Sequence, residues 1–275
     1  MSGIGKPPHR AVQEYFDQDV EGYLSASTAT TGSARSEIFQ ERRQRVLDVM
    51  HEPVGRVLDI GSGPGVFTKA LLDRGGECWI LDLSPRMVAA GRERLAGDPA
   101  AHRLHYAVAD LERLPFGDRL FDTVLCIGVL QYLATPDVAL RELARVTRHG
   151  GQVIVSFPNQ RSPLNSLQRA IVRSLRGGQA ILRRLGMELH PPSSRLTFRD
   201  DIPNASFAQD QMEAMARQVG LQPQGVVYHS VHFPFSIPGL HVLLRAWDRL
   251  ANRAFRTGRF TMWGREILMR FHCAR

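Results

Sequence analysis

The chain has 275 residues, 43% of them hydrophobic and 23% charged, the balance of an ordinary soluble globular protein with one large domain or a domain carrying an elaborated cap. No apolar run approaches the roughly 18 residues of a membrane span, and the opening MSGIGKPPHR lacks the apolar core of a secretion signal. Cys78, Cys126 and Cys273 are odd in number and form no CxxC pair, which speaks against a disulfide framework or a thiolate zinc site and for a reducing cytoplasm.

The net charge of +8 is unevenly placed. Residues 1–160 hold 18 Lys+Arg against 20 Asp+Glu, residues 161–275 hold 17 against 7, and every cation but Lys6 and Lys69 is an arginine. Two readings stand: the base composition of the gene, or a need for anion-binding guanidinium groups.

Residues 1–36 read as a mobile N-terminal arm with one short helix, in which the aromatic patch Glu14–Tyr23 precedes the Gly/Ser/Thr-rich run Ser25–Ser36. Tyr15, Phe16 and Tyr23 would either form a lid over a ligand or act as a hydrophobic staple. Residues 37–158 then alternate two patterns. Ile38, Val46 and Val49–Met50 are spaced for a helix, and VLDI, CWILDL, LHYAVA, FDTVLCI and GQVIVSF read as short buried strands. Helical segments Val66–Arg74, Pro85–Leu95 and Pro136–Thr147 lie between them. Continuous apolar strands separated by helices predict an open parallel sheet covered on both faces.

Beyond residue 158 that rhythm breaks. Residues 159–206 form an insertion in which Leu164, Leu167, Ile171 and Leu175 share a helical face while Arg169, Arg173 and Arg176 lie elsewhere. SFAQDQMEAMARQVG is a helix with Ser206 as its N-cap and Gly220 just past its end. In residues 207–275, GVVYHSV and REILMRFHCA read as strands flanking an amphipathic helix. That helix has an apolar stripe of Leu240, Leu243, Leu244, Trp247, Leu250 and Ala254, with Arg245, Arg249, Arg253 and Arg256 off it. These segments are a cap with solvated arginines, a vault for a lipophilic or phosphorylated substrate, or a membrane-surface contact.

The stretch RVLDIGSGPGVFTKAL places Gly61, Gly63 and Gly65 between a strand and a helix, so that backbone N–H groups can approach a ligand closely. A dinucleotide fingerprint needs a third glycine where Val66 stands, and Pro64 stiffens the loop. The oxidoreductase reading is weakened accordingly, and a bare structural turn is the other alternative.

VLDIGSGPGVFT resembles motif I of the class I S-adenosylmethionine-dependent methyltransferases, and the resemblance continues in register through Asn159. ILDLSPRMV is similar to the second motif, VADLERLPFGDRLFDTVLCIGVLQYL to the third and fourth, and LARVTRHGGQVIVSFPN to the closing helix, turn and strand, with His149 where a proline is commoner. The family implies a Rossmann-like α/β sheet of order 3-2-1-4-5-7-6 with strand 7 antiparallel. It also implies a cofactor site in residues 37–158. Gly61, Ser62 and Gly63 would form the floor, Asp59 would fix the turn or hold the ligand's ammonium through water, and Asp82 would accept the ribose hydroxyls. Leu83 and Met87 would sandwich the adenine, Asp110 and Leu111 would meet its edge, and the backbone of Cys126 and Ile127 would line the methionine end. Asp110 could alternatively be a helix cap.

Methyl transfer is an in-line displacement with an activated leaving group, so alignment dominates. Tyr132, following strand 4, is a candidate for positioning the acceptor, and His229 and His232 are candidate bases; no acid cluster beside them argues for metal. A packed tyrosine and a plain loop are the corresponding structural readings. No N/D-P-P-Y/F/W sequence follows strand 4, Cys126 follows a leucine rather than a proline, and no basic face is interleaved with aromatics, which together disfavour nucleic-acid substrates. The expectation is methylation of a small lipophilic metabolite, oxygen favoured over carbon or nitrogen. The alternatives are an NAD(P)-dependent oxidoreductase and a non-catalytic scaffold on the same fold.

Overall fold

The computed structural model describes residues 9–28, 34–167, 169–170, 204–230 and 263–274. Two N-terminal helices, α1 (His9–Gln18) and α2 (Val20–Thr28), lead to α3 (Ala34–Val49). The core alternates β1 (Arg56–Ile60), α4 (Thr68–Asp73), β2 (Glu77–Asp82), α5 (Pro85–Leu95), β3 (Leu104–Val108), β4 (Phe121–Ile127), α6 (Pro136–Val146) and β5 (Thr147–Pro158). It closes with α7 (Gln209–Gln218), β6 (Leu221–His229) and β7 (Glu266–Cys273).

The strands form one sheet of order β3-β2-β1-β4-β5-β7-β6, parallel through β5, with β7 antiparallel to both β5 and β6. Period-2 alternation divides the core between the faces. Leu58, Val124, Cys126, Val153, Val155, Ile267 and Met269 pack with α6 and α7 on one side. Val57, Leu125, Ile127, Ile154 and Leu268 pack with Val46, Phe67, Leu71 and Leu72 on the other. Because both faces are covered, the strands carry nearly unbroken apolar runs. Since β7 is antiparallel to its neighbours, β6 ends at the same edge as β1, β2 and β4, and β7 begins there.

Two local expectations are corrected. The N-terminal arm holds two helices, not one; α2 continues into the Ser/Thr-rich run to Thr28, and Val12 and Ala26 are buried. The N-cap of α7 is Ala208 rather than Ser206. Phe207 bridges Asn159, and Phe207 N–H donates to Pro158 O at 3.1 Å, so the backbone just ahead of the helix is held in extended pairing. Arg173, Arg176 and the stripe from Leu240 to Ala254 lie outside the described residues. No helix among the described residues is long and apolar enough to cross a membrane.

Candidate active site

The loop after β1 is bent by three glycines in the left-handed region, Gly61 at φ 64°, Gly63 at φ 56° and Gly65 at φ 73°. Its back is tied to the sheet: Ser62 N–H donates to Leu81 O at 3.1 Å. Arg94 of α5 donates Nε to Pro64 O at 2.9 Å and Nη2 to Gly65 O, gripping the loop from behind.

Asp82, the last residue of β2, accepts Gly63 N–H at Oδ2 and Ser84 N–H at Oδ1, both at 2.9 Å. Each carboxylate oxygen has capacity for a further donor. Burial pushes its carboxyl above the usual carboxylate range, partly opposed by these N–H bonds. Asp59 is 1% exposed and its Oδ2 has no partner. Burial, with the Asp82 charge added, pushes its carboxyl up to about 7. A buried carboxylate oxygen without a donor is costly unless a ligand supplies one. The residues therefore fit S-adenosylmethionine: Asp59 would take the ammonium end, and Asp82 the ribose.

The remaining sequence-derived cofactor residues line the same strand ends. Leu83 is half-buried, while Met87, Leu111, Cys126 and Ile127 are buried. Burial raises the Cys126 thiol far above its usual range, which removes it as a nucleophile. Asp110 Oδ1 accepts Glu112 N–H at 2.9 Å in a short turn, not a helix cap. Its Oδ2 lies 2.8 Å from His9 Nδ1, while His9 Nε2 lies 3.1 Å from Glu112 Oε2. A metal would take one ring nitrogen; here each nitrogen faces a different carboxylate, the geometry of a hydrogen-bonded bridge.

Other contacts also tie α1 and α2 to this region. Ser84 Oγ donates to Asp17 Oδ1 at 2.5 Å. The Tyr23 ring comes within 3.1 Å of where a side chain on Gly63 would begin.

On the far side of the loop, a 3-10 turn, Leu130–Tyr132, follows β4. Tyr132 packs edge-on against Phe16, centroids 5.3 Å apart, and burial raises its phenol. Gln131 beside it is buried with Oε1 unpartnered. His229 closes β6 and is also buried. Burial lowers its imidazole against the opposing pull of Glu266. His232 lies outside the described residues.

Sequence reasoning missed the partners of His229. Its Nδ1 is 2.8 Å from Ser230 Oγ; its Nε2 is 3.6 Å from Glu266 Oε2, too far for a hydrogen bond, and has no hydrogen-bond partner among the described residues. Glu266 in turn receives Arg42 Nε at 3.0 Å and Arg42 Nη2 in a fork. Arg42 and Glu266 are 224 positions apart, and no short-range pattern links them.

A sheet of this order, with an acid closing β2 beneath a glycine floor, is the architecture of the class I S-adenosylmethionine-dependent methyltransferases. Residues 58–155 match the family described as methyltransferase domain. The chain is 41% identical over 103 residues to a demethylmenaquinone methyltransferase of Mycobacterium tuberculosis strain H37Rv, covering 38% of this chain and 41% of that one. It is 34% identical over 139 residues to a malonyl-[acyl-carrier protein] O-methyltransferase of Serratia marcescens, covering 50% and 52%. The chain thus spans about half or less of the length of these curated relatives. Magnesium protoporphyrin IX methyltransferase of Synechocystis PCC 6803, solved with bound SAH, has the same fold: TM-score 0.64 at 14% identity, covering 96% of this chain and 99% of that one.

Proposed function

We propose that the protein transfers the methyl group of S-adenosylmethionine to a small, lipophilic acceptor, with a hydroxyl oxygen as the favoured target. The observation that carries this reading is the pair of buried acids under the glycine floor, above all the Asp59 oxygen that no donor satisfies. A nicotinamide dinucleotide would bring a diphosphate toward the buried Asp59 carboxylate; S-adenosylmethionine brings an ammonium there. When bound, the cofactor supplies a methyl group on an activated sulfonium.

The chain's own residues then bind, orient and exclude water. Gly61–Gly63 and Asp82 fix the cofactor's place, and α1 and α2 act as a lid through His9, Asp17 and Tyr23. The unpartnered Gln131 Oε1 and the Tyr132 hydroxyl hold the acceptor for in-line attack. The name of one relative, for demethylmenaquinone, supports a small lipophilic acceptor, and the name of the other, a malonyl-[acyl-carrier protein] O-methyltransferase, supports oxygen as the target. The arginine-flanked apolar stretches of residues 161–275 support a greasy acceptor and a peripheral membrane contact.

Calorimetry with adenosylhomocysteine and with NADH tests the cofactor. Incubation with isotopically labelled S-adenosylmethionine and 1,4-dihydroxynaphthalene, which offers both oxygen and ring carbon, tests the transfer. Tight binding of adenosylhomocysteine and an O-methyl product are expected. Binding of NADH instead, or a protein that binds adenosylhomocysteine and methylates nothing, rejects the reading.

A further inference from the structure

Tyr23 of α2 stands against the floor of the cofactor cleft. Its ring edge turns to the glycine loop, with Cε1, Cζ and Cδ1 at 3.1, 3.5 and 3.6 Å from where a side chain on Gly63 would begin. Gly63 also gives its N–H to Asp82 Oδ2 at 2.9 Å, so the ring and that carboxylate meet at one residue. On its other side the ring packs against Phe39 of α3, centroids 4.9 Å apart and planes at 75°. The loop touches an edge and Phe39 can cover one face, so these two contacts do not use up both faces of the ring.

The groups that act electrostatically on the phenol come from both sides of the cleft: Arg42, Asp82, Tyr132 and Asp59. Burial raises the phenol far above its ordinary range, so the ring stays neutral at physiological pH. Arg42 brings the cation among these groups, and its charge is met by the fork to Glu266 and by the Phe39 ring, 5.7 Å below the guanidinium. What remains around Tyr23 is a neutral aromatic ring beside two acids, a setting that favours a positive charge from outside.

In S-adenosylmethionine the sulfur joins the ribose to the methionine chain. With Asp82 at the ribose and Asp59 at the ammonium, the sulfonium falls between the two acids, in the span that Tyr23 faces. We propose that Tyr23 reads the charge of the cofactor: its ring stabilises the sulfonium of S-adenosylmethionine and does little for the neutral thioether of adenosylhomocysteine. The loaded cofactor is thus held and the spent one let go. This rests on the methyl-transfer reading above. The two ligands share their adenosine and amino-acid ends and differ by one methyl and one charge at sulfur. Contacts made elsewhere therefore cancel in the ratio of their affinities.

The test is calorimetry of the full chain with S-adenosylmethionine, adenosylhomocysteine and sinefungin, whose ammonium puts a cation where the methylated sulfur stands. Tyr23→Phe keeps the ring, and Tyr23→Leu keeps an apolar side chain without one. The wild type should bind both cations more tightly than adenosylhomocysteine. Tyr23→Leu should weaken the two cations about three- to thirtyfold and adenosylhomocysteine less than about twofold, while Tyr23→Phe stays close to the wild type. Equal weakening of all three ligands in Tyr23→Leu makes the ring a prop for the Gly63 loop and overturns the proposal. So does a Tyr23→Phe that loses as much discrimination as Tyr23→Leu, which would assign the effect to the hydroxyl. A second series leaves the shape of the ring nearly constant: phenylalanine at position 23 carrying successively more ring fluorines, which drain the negative face stepwise. Discrimination should fall with each fluorine; a flat series in a protein that binds both natural ligands overturns the role of Tyr23 alone. A wild-type protein that binds neither S-adenosylmethionine nor adenosylhomocysteine overturns the methyl-transfer reading, and this inference with it.

Discussion

The candidate cofactor cleft and the proposed acceptor rim are built in opposite ways. The cleft is local: Asp59, Gly61, Gly63 and Asp82 fall within 24 positions of one another, and two adjacent parallel strands bring them together. The rim is assembled from α3, the turn after β4, the end of β6 and the start of β7, elements scattered over most of the chain. A site made from one βαβ unit can be held constant as a unit. A site made from distant segments can change one contributor at a time, which suits a surface that meets different acceptors.

The sharpest way to break this comparison is Gly63→Val. A side chain there would need the left-handed φ of 56° and would meet the Tyr23 ring at 3.1 Å. Adenosylhomocysteine binding should vanish by calorimetry, a loss of more than about a hundredfold, with the circular dichroism of the sheet retained. Normal turnover in this variant would make the loop a structural turn only.

Asp82→Ala should come next. Losing a charged acceptor at the ribose costs about 1.5–3 kcal/mol, or roughly ten- to a hundredfold in affinity. Unaltered adenosylhomocysteine affinity in the folded variant would detach Asp82 from the cofactor.

A smaller and graded effect belongs to Asp59. Its carboxyl lies at about 7 against an ordinary 3.8, so between those values the folded state holds the extra proton. The ligand-free protein should therefore lose stability as pH rises through that window, by up to about 1.4 kcal/mol per unit. An ammonium favours the carboxylate, so adenosylhomocysteine affinity should climb with pH toward about 7 and level off above it. Asp59→Asn should flatten both curves. Affinity that is constant across the window in the wild type would separate Asp59 from the ligand's charge.

The mildest change concerns the rim. Tyr132→Phe should lower kcat by up to about tenfold while leaving cofactor affinity within twofold, the loss of one neutral hydrogen bond. Equal losses in both would place Tyr132 in the cleft rather than at the rim.

The same division decides what could be read from sequence. The strands were legible because parallel strands buried on both faces must be apolar throughout, and the acids of the cleft because each ends a strand beside a glycine turn. Of the two N-terminal helices only one was, because α2 runs into a Ser/Thr-rich segment of weak helix propensity and is held by packing of residues such as Ala26. The N-cap of α7 was misplaced because tertiary pairing of Phe207 with Asn159 outweighs the local preference for serine. Arg42, Glu266 and Ser230 gave no signal at all. An ordinary arginine and glutamate become a half-buried pair only once β7 has folded back beside β5.

The pairing at the two ends of the undescribed stretches has a consequence for how such a protein diversifies. The chain leaves the sheet after His229 and rejoins it at Glu266, which sits directly opposite on the ladder. Likewise, Gln160 N–H donates to Phe207 O at 3.0 Å, joining the points where residues 161–206 depart and return. In both places the flanking residues are fastened to each other, so the length and composition of what lies between them can be exchanged like cassettes without shifting the register of any strand.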